Sequence, residues 1–217
     1  MRRKQGGFGL LEMTLALAIG LMVLAVAGQL FTSAHRTWQL QGTALRLQDD
    51  ARLALLRMAQ DIRMAGMFGC LRLGPGNFND PVARQAFEQP LEIGPSSLSL
   101  IVAELPGHTG EPEWTLLTDC MESAHVHKGR IENPDTLMAI PISRHRYALK
   151  GTSLTFRRRY GDNSQTLVDH VRQMRVEHVH VPEGERVDLQ LTLYEPTSQL
   201  EQLHELSVAL RNPVSVP

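Results

Sequence analysis

Apolar residues follow three successive rhythms along this chain. From Met13 to Phe31 (MTLALAIGLMVLAVAGQLF) there is no charged side chain and one strongly polar residue, Gln29, over a length that crosses a hydrocarbon core of about 30 Å as a helix. From Ala44 the apolar residues Leu47, Ala51, Ala54, Met58, Ile62 and Ala65 recur every three or four positions, with Arg46, Asp50, Arg57, Asp61 and Arg63 between them, the signature of an amphipathic helix. No proline interrupts Phe8 to Ala65, and Gly66 and Gly69 supply a stop, so the pattern predicts one long helix. A short anchor followed by a separate helix is the alternative, which Gly42 permits at modest local cost.

After Cys70 the pattern changes. Gly74-Pro75-Gly76-Asn77 through Pro81, Pro90 and Gly94-Pro95 reads as an irregular connection. Strands are predicted near 97–102, 114–118, 137–142, 146–149, 154–159, 171–181, 187–194 and 203–210. Alternation is clearest from Val187 to Leu193, where every second residue is apolar, as in a sheet with one face on a core. Lys150-Gly151-Thr152-Ser153 and Gly161-Asp162-Asn163-Ser164 read as hairpin turns, which favour antiparallel neighbours over crossover units. The expectation is an α+β chain, a long N-terminal helix packed on an antiparallel β-sheet head. Its divisions fall at residues 1–7, a basic leader, 8–31, the membrane-spanning half of the helix, 32–66, the amphipathic half, and 67–217, the β-rich head.

Charge sharpens the reading of the N-terminus. The 22 Lys and Arg residues nearly balance the 23 Asp and Glu, so no basic excess points to nucleic acid. Arg2, Arg3 and Lys4, however, crowd the first four residues, as in a membrane-targeting segment. The obvious small-residue pair, Gly6-Gly7, precedes the apolar run instead of following it, unlike an ordinary secretory cleavage site. Glu12 lies just inside the apolar stretch, where an ionised group needs a reason. A cut between Gly7 and Phe8 creates an α-ammonium at Phe8, and a residue four along a helix shares its face. The plainer alternative is that Glu12 sits among headgroups and snorkels. The two cysteines, Cys70 and Cys120, have no metal-site spacing. They are either ordinary buried thiols or, if the head lies outside the cytoplasm, a disulfide.

Lys4-Gln5-Gly6-Gly7-Phe8-Gly9-Leu10-Leu11-Glu12 resembles the prepilin signature, a basic leader ending in Gly, then Phe, then Glu at the fifth mature position. The resemblance implies cleavage after Gly7 by the prepilin peptidase, methylation of the Phe8 amine and a docking role for Glu12 in assembly. Asp61 through Cys70 (DIRMAGMFGC) is similar to the helix-ending segment of PilW-type minor pilins, and Asp119-Cys120 to that family's second cysteine site. The tail from Leu167 through Asn212 resembles the C-terminal region of PilW-like proteins and of related secretion pseudopilins. These likenesses imply an inner-membrane, single-pass precursor with a periplasmic head, later incorporated into a type IV pilus. The implied partners are other minor pilins, the major pilin, the assembly platform and a PilY-type tip protein. A type II secretion pseudopilin of the J type shares the leader and the long helix.

Catalytic and metal chemistry is weakly signalled. His125-x-His127 and His178-x-His180 each place two imidazoles on one face of a strand, yet both pairs need further ligands. The alternation of His178 and His180 with Val176, Val179 and Val181 describes a solvent-facing strand side equally well. Asp162 and Asn163 fit a turn better than a calcium site. Arg157-Arg158-Arg159 is expected to form a solvated edge. There is no G-x-S-x-G, phosphate-cradling loop or zinc-protease helix motif, so catalysis, metal and cofactor are assigned to no residue. A displayed adhesin or DNA-binding module and an enzyme on a signal anchor are the rival classes.

Overall fold

The computed structural model describes residues 9–104, 110–131, 137–159, 161–182 and 184–212. The chain forms two compact units, residues 1–46 and 47–217. Helix α1 (Leu10–Met64) is one element and includes Gly42.

In the first unit every residue from Gly9 to Gln41 is exposed, so this apolar surface is matched to lipid rather than to a protein core. By length and composition the helix can cross a membrane. Its hydroxyls are consistent with that solvent, because Thr14 donates to the Leu11 carbonyl at 3.0 Å and Thr32 to that of Gln29 at 2.9 Å. No hydroxyl proton at those positions then needs water.

In the second unit the amphipathic stripe becomes a core face. Leu47, Ala51, Ala54, Leu55, Met58, Ala59 and Ile62 are buried, at spacings that keep them on one side of the helix. Fully burying a side chain such as Met58 or Ile62 contributes about 1.5–3 kcal/mol. The helix ends where Gly66 takes a φ of 72°, a backbone conformation open to glycine. Asn212, near the other end of the chain, donates from Nδ2 to the Ala65 carbonyl at 3.0 Å, and Gly66 N donates to Ile101 O, so this helix terminus is satisfied from outside the helix.

Among the described residues the strands that follow are β1 (Leu91–Gly94), β2 (Ser97–Ala103), β3 (Trp114–Thr118), β4 (Ala124–Lys128), β5 (Met138–Lys150), β6 (Ser153–Arg157), β7 (Gln165–Val168), β8 (Val171–Val181), β9 (Gly184–Glu195) and β10 (Leu200–Ala209). They form two antiparallel sheets where one was expected. The larger has the order β1-β2-β5-β3-β4, with β6 paired to β5 and β7 to β6; the smaller is β10-β9-β8. His170, at a φ of 63°, turns the chain from one sheet into the other. Residues of α1 from Leu47 on share a core with both sheets, including Leu98, Leu100, Tyr147 and Phe156 of the larger and Met174, Leu189 and Leu191 of the smaller.

The larger sheet is buried on both faces. Leu98, Leu100 and Val102 of β2 face α1, while Ile101 and Ala103 join a second core with Trp114, Leu116, Val126 and Ile142. That second core is covered by α2 (Pro81–Glu88) through Ala83, Ala86 and Phe87. Two-sided burial explains why β2 and β3 are buried almost throughout instead of on alternate residues.

The segment read as irregular therefore holds a 3-10 turn (Pro75–Asn77), α2 and β1. A start signal was present, since Asp80 accepts from Val82 N at 2.9 Å and Pro81 follows it, a capping residue and a first-turn proline. β4 and β7 were missed too. The two strands expected at 137–142 and 146–149 are one, because the polar Ser143-Arg144-His145 between them is in the sheet, with Ser143 and His145 buried.

Candidate functional site

The N-terminal elements come first. Gly7 and Phe8, with Arg2, Arg3, Lys4 and Gly6, lie outside the described residues. Glu12 occupies the first turn of α1, and its Oε2 accepts from Gly9 N at 3.1 Å. That contact is half of a capping box, and a carboxylate there also complements the positive end of the helix dipole. Glu12 is the only charged side chain between Lys4 and Arg36, so any cation it meets within this stretch comes from a backbone terminus or from another molecule.

Cys70 and Cys120 form a disulfide across 50 residues, with Cα atoms 5.3 Å apart. Both residues are exposed, so they are not the buried thiols of the plainer reading. The bridge ties the segment leaving α1 to the turn after β3. Gly69, at a φ of 83°, lies where an added Cβ would meet Ile140 at 3.1 Å. Cys120 itself has a φ of 61° and donates its N–H to Thr118 Oγ1. In the same turn Asp119 Oδ1 accepts from the backbone N–H groups of Met121, Glu122 and Ser123 at 2.9, 3.0 and 2.9 Å. Those three donors hold the Asp119 carboxyl well below the usual range. In the chain-entropy account, closing a loop this long stabilises the fold by about 4 kcal/mol. Cys70→Ser with Cys120→Ser should lower the unfolding free energy of the full chain in detergent by about that amount. Denaturant melts check it, and a loss under ~1 kcal/mol would show the bridge to be a minor constraint.

A polar cluster at the helix–sheet interface was not foreseen. Asp61 of α1 accepts from His145 Nδ1 at 2.6 Å and from the Tyr147 hydroxyl at 2.5 Å, both on β5. His145 Nε2 lies 3.5 Å from Glu104, which accepts from Arg158 Nε at 2.7 Å. Burial pulls His145 down, but Asp61 and Glu104 outweigh it and the imidazole is raised. Burial pushes Glu104 up, yet the neighbouring polar groups of His145 and Ser143 and the charges of His145 and Arg158 bring it to about 2. Tyr147 is pushed up, first by burial and then by the Asp61 charge. Acid and base alternate through this cluster, which suits a fixed electrostatic lock between helix and sheet. The sequence pattern places Asp61 among the charges that lie between the apolar positions of α1. Its position, one residue before the buried Ile62, was the available signal.

The arginine run is likewise not a solvated edge. Arg158 holds Glu104, and Arg159 Nη1 donates to Glu111 at 2.8 Å. A cleft of about 610 Å3 beside Trp114 is lined by Glu111 and Glu113 together with Lys128, Arg144 and Arg159. Its mixed charges give no one-signed field of the kind that gathers nucleic acid. His125 and His127 stand on one side of β4, the first exposed and the second half-buried. His178 and His180 share one side of β8, the first half-buried and the second exposed, and both meet Glu185 of β9.

Residues 2–28 fit the family model described as the prokaryotic N-terminal methylation motif. No curated protein and no solved structure matches the chain. The matched stretch holds Gly7, Phe8, Glu12 and most of the apolar run, and it favours a structural over a catalytic role. With the apolar helix it fits membrane anchoring, processing by prepilin peptidase and assembly with other pilins. Residues 2–28 at the N-terminus of this chain are a type IV pilin-like prepilin signal.

Proposed function

We propose that the protein is a minor pilin of the PilW type that takes part in initiating the type IV pilus, in a priming or tip complex with other minor pilins. The observation that carries this reading is the methylation motif at residues 2–28, with Glu12 as the one charge in an otherwise apolar, exposed stretch. Residues 1–7 are then the leader removed by prepilin peptidase between Gly7 and Phe8, with the Phe8 amine methylated. Residues 8–31 cross the inner membrane, residues 32–66 continue the helix, and residues 67–217 make a periplasmic head.

The chemistry of assembly follows from Glu12. Once the leader is removed, Phe8 carries an α-ammonium, and a carboxylate four residues on lies on the same helix face. In an apolar bundle of such helices, a lone carboxylate is costly, and an ammonium partner offsets much of that cost. Register between subunits is thereby set by one charge pair in a surface with no other. The major pilin, the assembly platform and a PilY-type tip protein are the partners this role requires.

The Cys70–Cys120 bridge supports a head in an oxidising compartment. The bridge also lies within the segments, Asp61–Cys70 and Asp119–Cys120, that resemble the PilW type rather than the J-type pseudopilin.

Deletion of the protein in its native host, with sheared surface pili and secreted exoproteins scored in the same cultures, separates the two. Loss of pili with secretion intact is expected. Loss of secretion with pili intact would move the protein to the pseudopilin class.

A further inference from the structure

The hairpin of β8 and β9 carries a metal-ligand set that the assembly role does not use. In its register His180 pairs with Glu185 and His178 with Val187. These positions share one side of the sheet. Further along that side lie Met174 and Val176 of β8 and Leu189, Leu191 and Leu193 of β9, all packed into the core. At the turn end of the hairpin the same side changes from apolar residues to His178, His180 and Glu185. A face meant only to meet water needs no such pairing of imidazoles with a carboxylate.

The donor atoms converge. His178 Nε2 lies 3.3 Å from Glu185 Oε2, and His180 Nε2 lies 3.3 Å from Glu185 Oε1. The two imidazole rings are 4.5 Å apart, and one ligand atom from each of the three residues falls within 4.8 Å of the others. Two ligands held about 2.1 Å from one tetrahedral ion stand roughly 3.4 Å apart, so the carboxylate is already at ligand spacing from each imidazole. The His178 and Glu185 side chains are 22% and 21% exposed, whereas His180 is 66% exposed. Two ligands are therefore held by packing, and the third stands at an open side through which an ion can enter.

We propose that His178, His180 and Glu185 form a binding site for a divalent transition metal of the zinc class. Two imidazoles and one carboxylate suit zinc rather than calcium or magnesium, which take oxygen ligands in larger number. Three protein ligands leave a fourth position open to water or to a side chain of a neighbouring molecule. The ion clips the two strands together at the end of their hairpin.

The competing account is an ion pair between protonated imidazole and carboxylate with the same spacing. Calorimetric titration of the full chain in detergent at neutral pH with zinc chloride alone, followed by cobalt(II) absorption, separates them. The expected result is one ion per chain, a rise in melting temperature with zinc, and a tetrahedral cobalt spectrum. His180→Ala, at the exposed ligand, and Glu185→Gln should each weaken zinc at least about tenfold. His125→Gln with His127→Gln should leave binding unchanged. The proposal is overturned if zinc produces neither binding heat nor a melting shift. It is equally overturned if His180→Ala with Glu185→Gln binds zinc as wild type does, or if only the His125/His127 variant loses it.

Discussion

Glu12→Ala should leave the chain inserted in the membrane and out of the filament. Insertion is not at risk, because removing a carboxylate from the end of an apolar helix relieves a cost and adds none. Losing the contact from Gly9 N to Glu12 costs on the order of 1 kcal/mol of helix-end stability, small for a helix held in lipid. Assembly is different. If Glu12 meets the Phe8 ammonium of a neighbouring subunit away from water, truncating one partner strands the other at about 3–5 kcal/mol. That corresponds to a fall of at least about a hundredfold in the incorporated fraction. Immunoblots of membranes and sheared filaments read both quantities from one culture. Glu12→Gln retains a hydrogen-bond acceptor for Gly9 N but no charge, and it should fail like Ala if pairing matters. Incorporation of either variant within about twofold of wild type would leave Glu12 as a helix cap only.

Asp61→Ala should be among the most destabilising single changes in the head. It removes the acceptor of both His145 and Tyr147, whose side chains are buried or nearly so, and it leaves an imidazolium beside the helix without that carboxylate. Breaking a buried pair in this way costs about 3–5 kcal/mol, or roughly 10 °C in melting temperature for a domain of this size. The same cluster predicts a pH profile. His145 is raised above its ordinary 6.5, so its contribution is fully present below that pH and is lost as pH rises through the folded value. Glu104 is lowered from 4.5 to about 2, so its contribution is present above 4.5 and is lost as pH falls toward 2. The cluster therefore supports the head best between about pH 4.5 and 6.5. His145→Gln should flatten the alkaline side of melting temperature against pH. Burial of His204 lowers it, which acts in the opposite sense and is present in both proteins, so the difference between the two curves isolates His145. Parallel curves would show that His145 does not carry its charge in the folded head.

Much of this architecture was legible because it repeats a simple period. The run from Met13 to Phe31 reads as lipid-facing from composition alone, and its residues are exposed all round. Ala44, Leu47, Ala51, Ala54, Met58, Ile62 and Ala65 were expected on one helix face, and all but the half-buried Ala44 are buried. The strands from Trp114 to Thr118 and from Val171 to Val181 fell where they were expected. Short elements escaped where their residues are held by distant partners. Asn77 donates to Ala124 O across 47 residues, and the Phe68, Phe78 and Phe87 rings that pack α2 against Trp114 come from separate segments. No local window contains such contacts.

What the sequence by itself determined is therefore the part whose solvent is uniform. The apolar stretch of α1 answers to lipid, and a one-dimensional pattern describes a one-dimensional environment. Only the tertiary structure decided the polar chemistry of the head. Charge on a side chain says nothing of which strand will face it, and register across β5, β8 and β9 brings Asp61 to His145 and Glu185 to His178 and His180. The Asp61–His145 pair joins residues 84 positions apart, and the Glu185 contacts depend on the register of the β8–β9 hairpin.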